Sequence, residues 1–82
     1  MFEEFVKMMN HKGYEVVPQY EGIQGIDYCN YIKNGHVFEV CHCDVRNGRQ
    51  NKFFVRMDGK TIVTRCLFYD VIPVMEEALR NI

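Results

Sequence analysis

The chain has 82 residues, 48% hydrophobic, 13% aromatic and 26% charged, with a formal net charge of −1. A disordered chain would be poorer in aromatic and branched residues and further from neutrality, so a folded chain is expected. At this length there is room for one core, and a single domain over residues 1–82 follows.

Residues 2–11 read as an amphipathic helix, with Phe2, Phe5, Val6 and Met9 at helical spacing and Glu3, Glu4, Lys7 and Asn10 on the other face. Lys12-Gly13 is its stop, since Gly13 is free to take a left-handed conformation. Tyr14-Glu15-Val16-Val17 reads as a short strand ended by Pro18, and Gln19–Gly25 as a loop. Strands over Ile26–Lys33 and His36–Val45 flank Asn34-Gly35, the dipeptide of a two-residue hairpin. Pairing Lys33 with His36 sets Tyr31 against Phe38, Cys29 against Val40 and Asp27 against His42 on one side of the ribbon. Ile32 faces Val37, Asn30 faces Glu39 and Tyr28 faces Cys41 on the other.

A polar turn over Arg46–Asn51 leads to a second hairpin, Lys52–Met57 and Lys60–Arg65 around Asp58-Gly59. Its regular register puts Met57 opposite Lys60, Val55 opposite Ile62 and Phe53 opposite Thr64. Phe54, Arg56, Thr61, Val63 and Arg65 then share the opposite side. Asp70 is a suitable N-cap for a closing helix that tolerates Pro73 in its first turn and carries the apolar stripe Val71, Met75, Ala78, Leu79 and Ile82. The expected fold is therefore α+β: a single antiparallel sheet of about four to five strands, with N- and C-terminal helices packed on one face.

Charge is segregated along the chain. Residues 1–45 hold three Lys/Arg against seven Asp/Glu, residues 46–65 hold six against one, and residues 66–82 hold one against three. The basic segment interleaves cations with aromatics, which suits a phosphate backbone or an acidic protein surface; the plainer reading is a solvated outer sheet face. A pI near 6.3 argues against general nucleic-acid binding. The tyrosines, with Tyr20 and Tyr28 beside the glycine-containing loop, add a protein-recognition signature, although tyrosine is also a good strand former. The candidate partner-binding residues are thus Arg46, Arg49, Lys52, Phe54, Arg56, Arg65, Tyr20 and Tyr28.

Cys41-His42-Cys43-Asp44 is the most conspicuous local run, but strand alternation sends His42 to the side opposite Cys41 and Cys43, and CxxC spacing is absent. A site built from Cys41 or Cys43 with Cys66 across the sheet is conceivable; buried free thiols acting as small hydrophobes is the simpler account. Asp27 opposite His42 is the arrangement that orients an imidazole, and Cys29 lies one step away on the same side. A surface His–Asp pair is far commoner than a catalytic one, and no phosphate-binding glycine loop is present. No catalytic residue, metal or cofactor is assigned. The opening run Met1–Lys7 lacks the apolar region of a signal peptide, and no stretch is long enough to span a bilayer, so a cytoplasmic chain with reduced thiols and no membrane association is expected.

A short helix ending in Lys12-Gly13-Tyr14-Glu15-Val16, then antiparallel hairpins, then a C-terminal helix resembles the layout of small phage and mobile-element inhibitors of the anti-CRISPR type. The resemblance covers most of the chain but lies in element order, and transfers no individual residue. It implies a non-enzymatic protein that binds and blocks a bacterial defence or nucleic-acid-processing protein. The near-neutral charge departs from DNA-mimicking members of that class, which tend to be strongly acidic. The expected function is accordingly a small protein-binding module, monomeric or homodimeric, with nucleic-acid binding through the basic hairpin 46–65 as the alternative.

Overall fold

Two turns set the architecture. In the computed structural model, which describes residues 2–43 and 52–82, Asn34 and Gly35 have φ of 55° and 80°, and Asp58 and Gly59 have 53° and 84°. Paired positive φ values are what a two-residue type I′ turn requires, and such a turn can only join antiparallel neighbours. The first turn links β2 (Cys29–Lys33) to β3 (His36–His42), and the second links β4 (Lys52–Met57) to β5 (Lys60–Leu67). With β1 (Glu15–Pro18) paired to β2, the result is a five-stranded antiparallel sheet in the order β1-β2-β3-β4-β5. Helices α1 (Phe2–His11) and α2 (Val71–Arg80) stand at the two ends of the chain, so the α+β expectation holds.

Strand alternation divides the sheet into two unlike faces. Cys29, Tyr31, Phe38, Val40, Phe53 and Val55 point to the helices and are buried with Phe5 and Met9 of α1 and Val71, Ile72 and Met75 of α2. Phe5 meets the Tyr31 ring edge-on, with centroids 5.6 Å apart. The buried Tyr31 hydroxyl donates to the Ile26 carbonyl at 2.6 Å, which satisfies it and pins a single 3₁₀ turn, Ile26–Tyr28, ahead of β2. Residues 26–28, expected as strand, are therefore a turn. No helix covers the other face among the described residues.

The β2–β3 register is the expected one, from Asn30↔Glu39 through Tyr31↔Phe38 to Lys33↔His36. The β4–β5 register is not. It begins as expected with Met57↔Lys60 and Arg56↔Thr61, then shifts twice, to Val55↔Val63 and to Phe53↔Cys66. Each shift is a β-bulge that adds one residue to β5. The first lets consecutive Ile62 and Val63 both pack against the core, so Val63 belongs to the inner face and not to the face of Phe54. The second sets Thr64 and Arg65 together across from Phe54.

The start of α2 also differs from expectation. Asp70 closes a 3₁₀ turn, Phe68–Asp70, in a right-handed helical conformation and makes no side-chain cap bond. The chain enters α2 already helical, so no extended N-cap residue is needed. Ile72 joins the core, whereas Ile82, assigned to the apolar stripe, lies past the helix end and is 70% exposed. The expected strand residues Asp44 and Val45 lie outside the described residues.

Candidate functional site

The outer face of the sheet gathers most of the residues singled out in the sequence. Cys41 of β3 pairs with Phe54 of β4, and Phe54 lies across from Arg65 in the β5 bulge. Continuing the β2–β3 register backward sets Tyr28 against Cys41, and the 3.0 Å contact between His42 and Asp27 agrees with that continuation. Tyr20 meets Tyr28 edge-on, at 6.2 Å between centroids. One row thus crosses the sheet: Tyr20, Tyr28, Cys41, Phe54, Arg65. The adjacent row runs Val17, Asn30, Glu39, Arg56, Thr61, and beyond it lie Glu15, Ile32 and Val37.

Local sequence explains how each side chain is held. Gln19 donates its backbone N–H to the Tyr28 carbonyl and its side-chain amide to Asn30 Oδ1 at 2.7 Å, which ties the Tyr20 loop to β2. Glycine suits the position before the 3₁₀ turn: a Cβ on Gly25 would stand 2.8 Å from Tyr28 Cδ2, so the tyrosine ring would have to shift. Tyr28 can therefore lie back over Gly25 and remain 39% exposed, next to Tyr20 at 54%. The Arg56 guanidinium lies over the Phe54 ring at 5.6 Å, a cation–π contact that covers part of an otherwise bare aromatic. Lys52 opens β4 and is half-buried. Arg46 and Arg49 lie outside the described residues.

Charge on this face is graded. Glu15 on β1 and Glu39 on β3 stand toward one side, and Lys52 and Arg56 on β4 and Arg65 on β5 toward the other, with Arg56 directly opposite Glu39. Ile32, Val37, Val17 and Glu39 on this face are not among the residues expected to bind a partner. Their strand parity was the available signal, because the Asn34-Gly35 register already pairs Ile32 with Val37 on the side of Tyr28, although it does not say which side the helices cover.

The cysteine and histidine constellation is brought together only in part. His42 Nδ1 meets Asp27 Oδ2 at 3.0 Å, and its ring lies against Phe53 at 4.4 Å between centroids. Among the described residues that carboxylate is the imidazole's one hydrogen-bond partner. Cys29 is buried and directs its thiol to the Gly25 carbonyl at 3.6 Å. Burial pushes the Cys29, Cys41 and Cys66 thiols above their ordinary value, which keeps them protonated and poorly nucleophilic. Cys66 is on the inner face and Cys41 on the outer, so those two are not brought together, whereas Cys43, whose thiol meets the Thr64 carbonyl at 3.8 Å, is near enough to Cys66 to act on it electrostatically. Among the described residues no three His, Cys, Asp or Glu side chains converge as a metal site, and no helix is long and apolar enough to cross a membrane. No family model, curated protein or solved structure matches this chain.

Proposed function

We propose that the chain is a small, non-enzymatic protein-binding module that docks its partner on the bare outer face of the sheet. The observation that supports this reading is the convergence of Tyr20, Tyr28, Phe54, Arg56 and Arg65, which are far apart in sequence, on the face that no helix covers among the described residues. Tyrosine and arginine supply large contact area and multiple donors, and they dominate interface energetics elsewhere. The half-buried apolar residues Ile32 and Val37 add a desolvatable centre, and the gradient from Glu15 and Glu39 to Arg56 and Arg65 suits a partner surface of both signs. The most specific version, a phage-type inhibitor of a bacterial defence or nucleic-acid-processing protein, rests on the resemblance in element order.

A second reading has one observation in its favour. Exposed rings beside Arg56 and Arg65 on an antiparallel sheet are also a stacking platform for single-stranded nucleic acid. The acidic residues on the same face and the pI near 6.3 weigh toward protein.

The test is a pull-down of tagged protein from bacterial lysate, with and without nuclease, alongside Tyr28→Ala and Arg56→Glu/Arg65→Glu variants. A single protein retained after nuclease, and lost with both variants, is the expected result. Capture that disappears on nuclease treatment and weakens steeply with salt would transfer the face to nucleic acid. Capture unchanged in both variants would remove the face from consideration.

A further inference from the structure

The helical side of the molecule carries a second surface. Helices α1 and α2 lie beside one another, held at one end by Phe5 against Phe68, centroids 5.6 Å apart, and at the other by the Tyr14 hydroxyl bonded to Glu76. Between them is a groove of about 490 Å³ whose floor and walls are Phe5, Met8, Phe68, Tyr69, Ile72 and Pro73. That volume is in the range of small-molecule sites, roughly 300–1,000 Å³, and such sites combine an apolar lining with few orienting polar groups. Met8 and Tyr69 are 48% and 79% exposed. Met8 lies outside the stripe that α1 buries, and Tyr69, in the 3₁₀ turn, meets the Phe68 ring edge-on at 6.5 Å between centroids.

The polar groups at the groove's ends differ. Glu76 accepts from Tyr14 and from Lys33 through the same oxygen, Oε2, so its charge is already matched from within. The Lys12 ammonium, at the same end, makes no hydrogen bond among the described residues and is only attracted to Glu76 through space. Glu4 lines the groove eight positions earlier, roughly 12 Å away along the helix. An occupant with an acidic end is drawn to Lys12.

We infer that the groove binds a small amphipathic carboxylate, its aliphatic or aromatic body on Phe5, Phe68 and Ile72 and its carboxylate on Lys12 Nζ. The site lies on the opposite side of the sheet from the partner-binding face and is independent of it. Protein carrying ¹³C-methyl methionine, titrated with decanoate, decanol and decyltrimethylammonium below their micelle concentrations, tests this.

The Met8 methyl is expected to shift saturably with decanoate, at lower concentration than with decanol, and least with the cation. The methyls of buried Met9 and Met75 report that the fold is intact. Lys12→Gln should weaken decanoate about fivefold, the upper end of what one exposed ion pair contributes, and leave decanol unchanged. No saturable Met8 response to decanoate overturns the inference. So does a response to decyltrimethylammonium as tight as to decanoate, or a Lys12→Gln variant that binds decanoate unchanged. Variants on the sheet face, such as Tyr28→Ala, should leave all three titrations as they were.

Discussion

At the scale of single residues, the most consequential cluster is Tyr14, Lys33 and Glu76. The Tyr14 hydroxyl donates to Glu76 Oε2 at 2.5 Å, Lys33 Nζ reaches the same oxygen at 3.3 Å, and the ammonium lies 4.9 Å from the centre of the Tyr14 ring. Three elements meet there: the entry to β1, the end of β2 and the middle of α2. The hydrogen bond from Tyr14, helped by Lys33, holds the Glu76 carboxyl below its ordinary 4.5. Burial, together with the same carboxylate, pushes the Tyr14 phenol well above its ordinary 10. A carboxyl with a depressed native pKa contributes stability above its unfolded value and loses it as pH falls through the native one. A phenol with a raised native pKa contributes below its unfolded value. The cluster is therefore fully effective between about pH 4.5 and pH 10 and fails first on the acid side. Glu76→Gln is expected to lower the melting temperature at pH 7 and to make the decline between pH 5 and pH 3 shallower than in the parent. Asp58 and Glu77, also held below their ordinary values, retain part of that decline. Thermal melts across that range check both effects, and a Glu76→Gln curve parallel to the parent's would contradict the assignment.

At the scale of elements, β5 decides what each side of the sheet presents. A regular register from Asp58-Gly59 would point Thr64 inward at Phe53 and Val63 outward beside Phe54. The two bulges reverse this, with Val63 opposite Val55 and packed on the core, and Thr64 exposed. The two registers make opposite predictions. Val63→Asp is expected to destabilise by about 2 kcal/mol or more, the cost of placing an unpaired charge against the core. Thr64→Asp should stay within about 0.5 kcal/mol, as surface substitutions usually do. Urea midpoints of the two variants distinguish the registers, and the reverse ranking would restore the regular one.

Where sequence suffices and where it does not follows from the same comparison. The dipeptides Asn34-Gly35 and Asp58-Gly59 specify turns because few residues tolerate paired positive φ, and each turn sets the register of the pairs next to it. Register then propagates only as far as the strands stay regular. A bulge in β5 has no signature in Thr61-Ile62-Val63-Thr64, since alternation and near-alternation read alike over four residues. Within each hairpin the side of Tyr28 and the side of Phe54 and Arg56 were therefore legible, whereas the β3–β4 register that joins them into one face was not. Val63 was misplaced, and the inter-helix groove was missed because Met8 and Tyr69 belong to no periodic stripe.

At the scale of the whole molecule, the layering limits how the chain meets other molecules. Its principal extents are 36 × 27 × 21 Å, and the shortest is what one sheet and one helical layer, each about 10 Å thick, occupy. With no third layer among the described residues, the outer face is open to a partner, and the other route to association is the sheet's two edges. Both are blunted. The free edge of β1 is only four residues long and ends in Pro18, which has no N–H to donate. The free edge of β5 is bent by two bulges and carries Arg65 and two exposed threonines, Thr61 and Thr64. Self-pairing through either edge would have to form against these features. The chain is therefore expected to sediment as a monomer at tens of micromolar, and to remain so in Tyr28→Ala, whose change is on the face. Pro18→Val, which restores a donor at the β1 edge, should introduce a concentration-dependent dimer by sedimentation velocity. A parent that is already dimeric, with Tyr28→Ala converting it to monomer, would instead make the outer face a self-association surface and its partner a second copy of the chain.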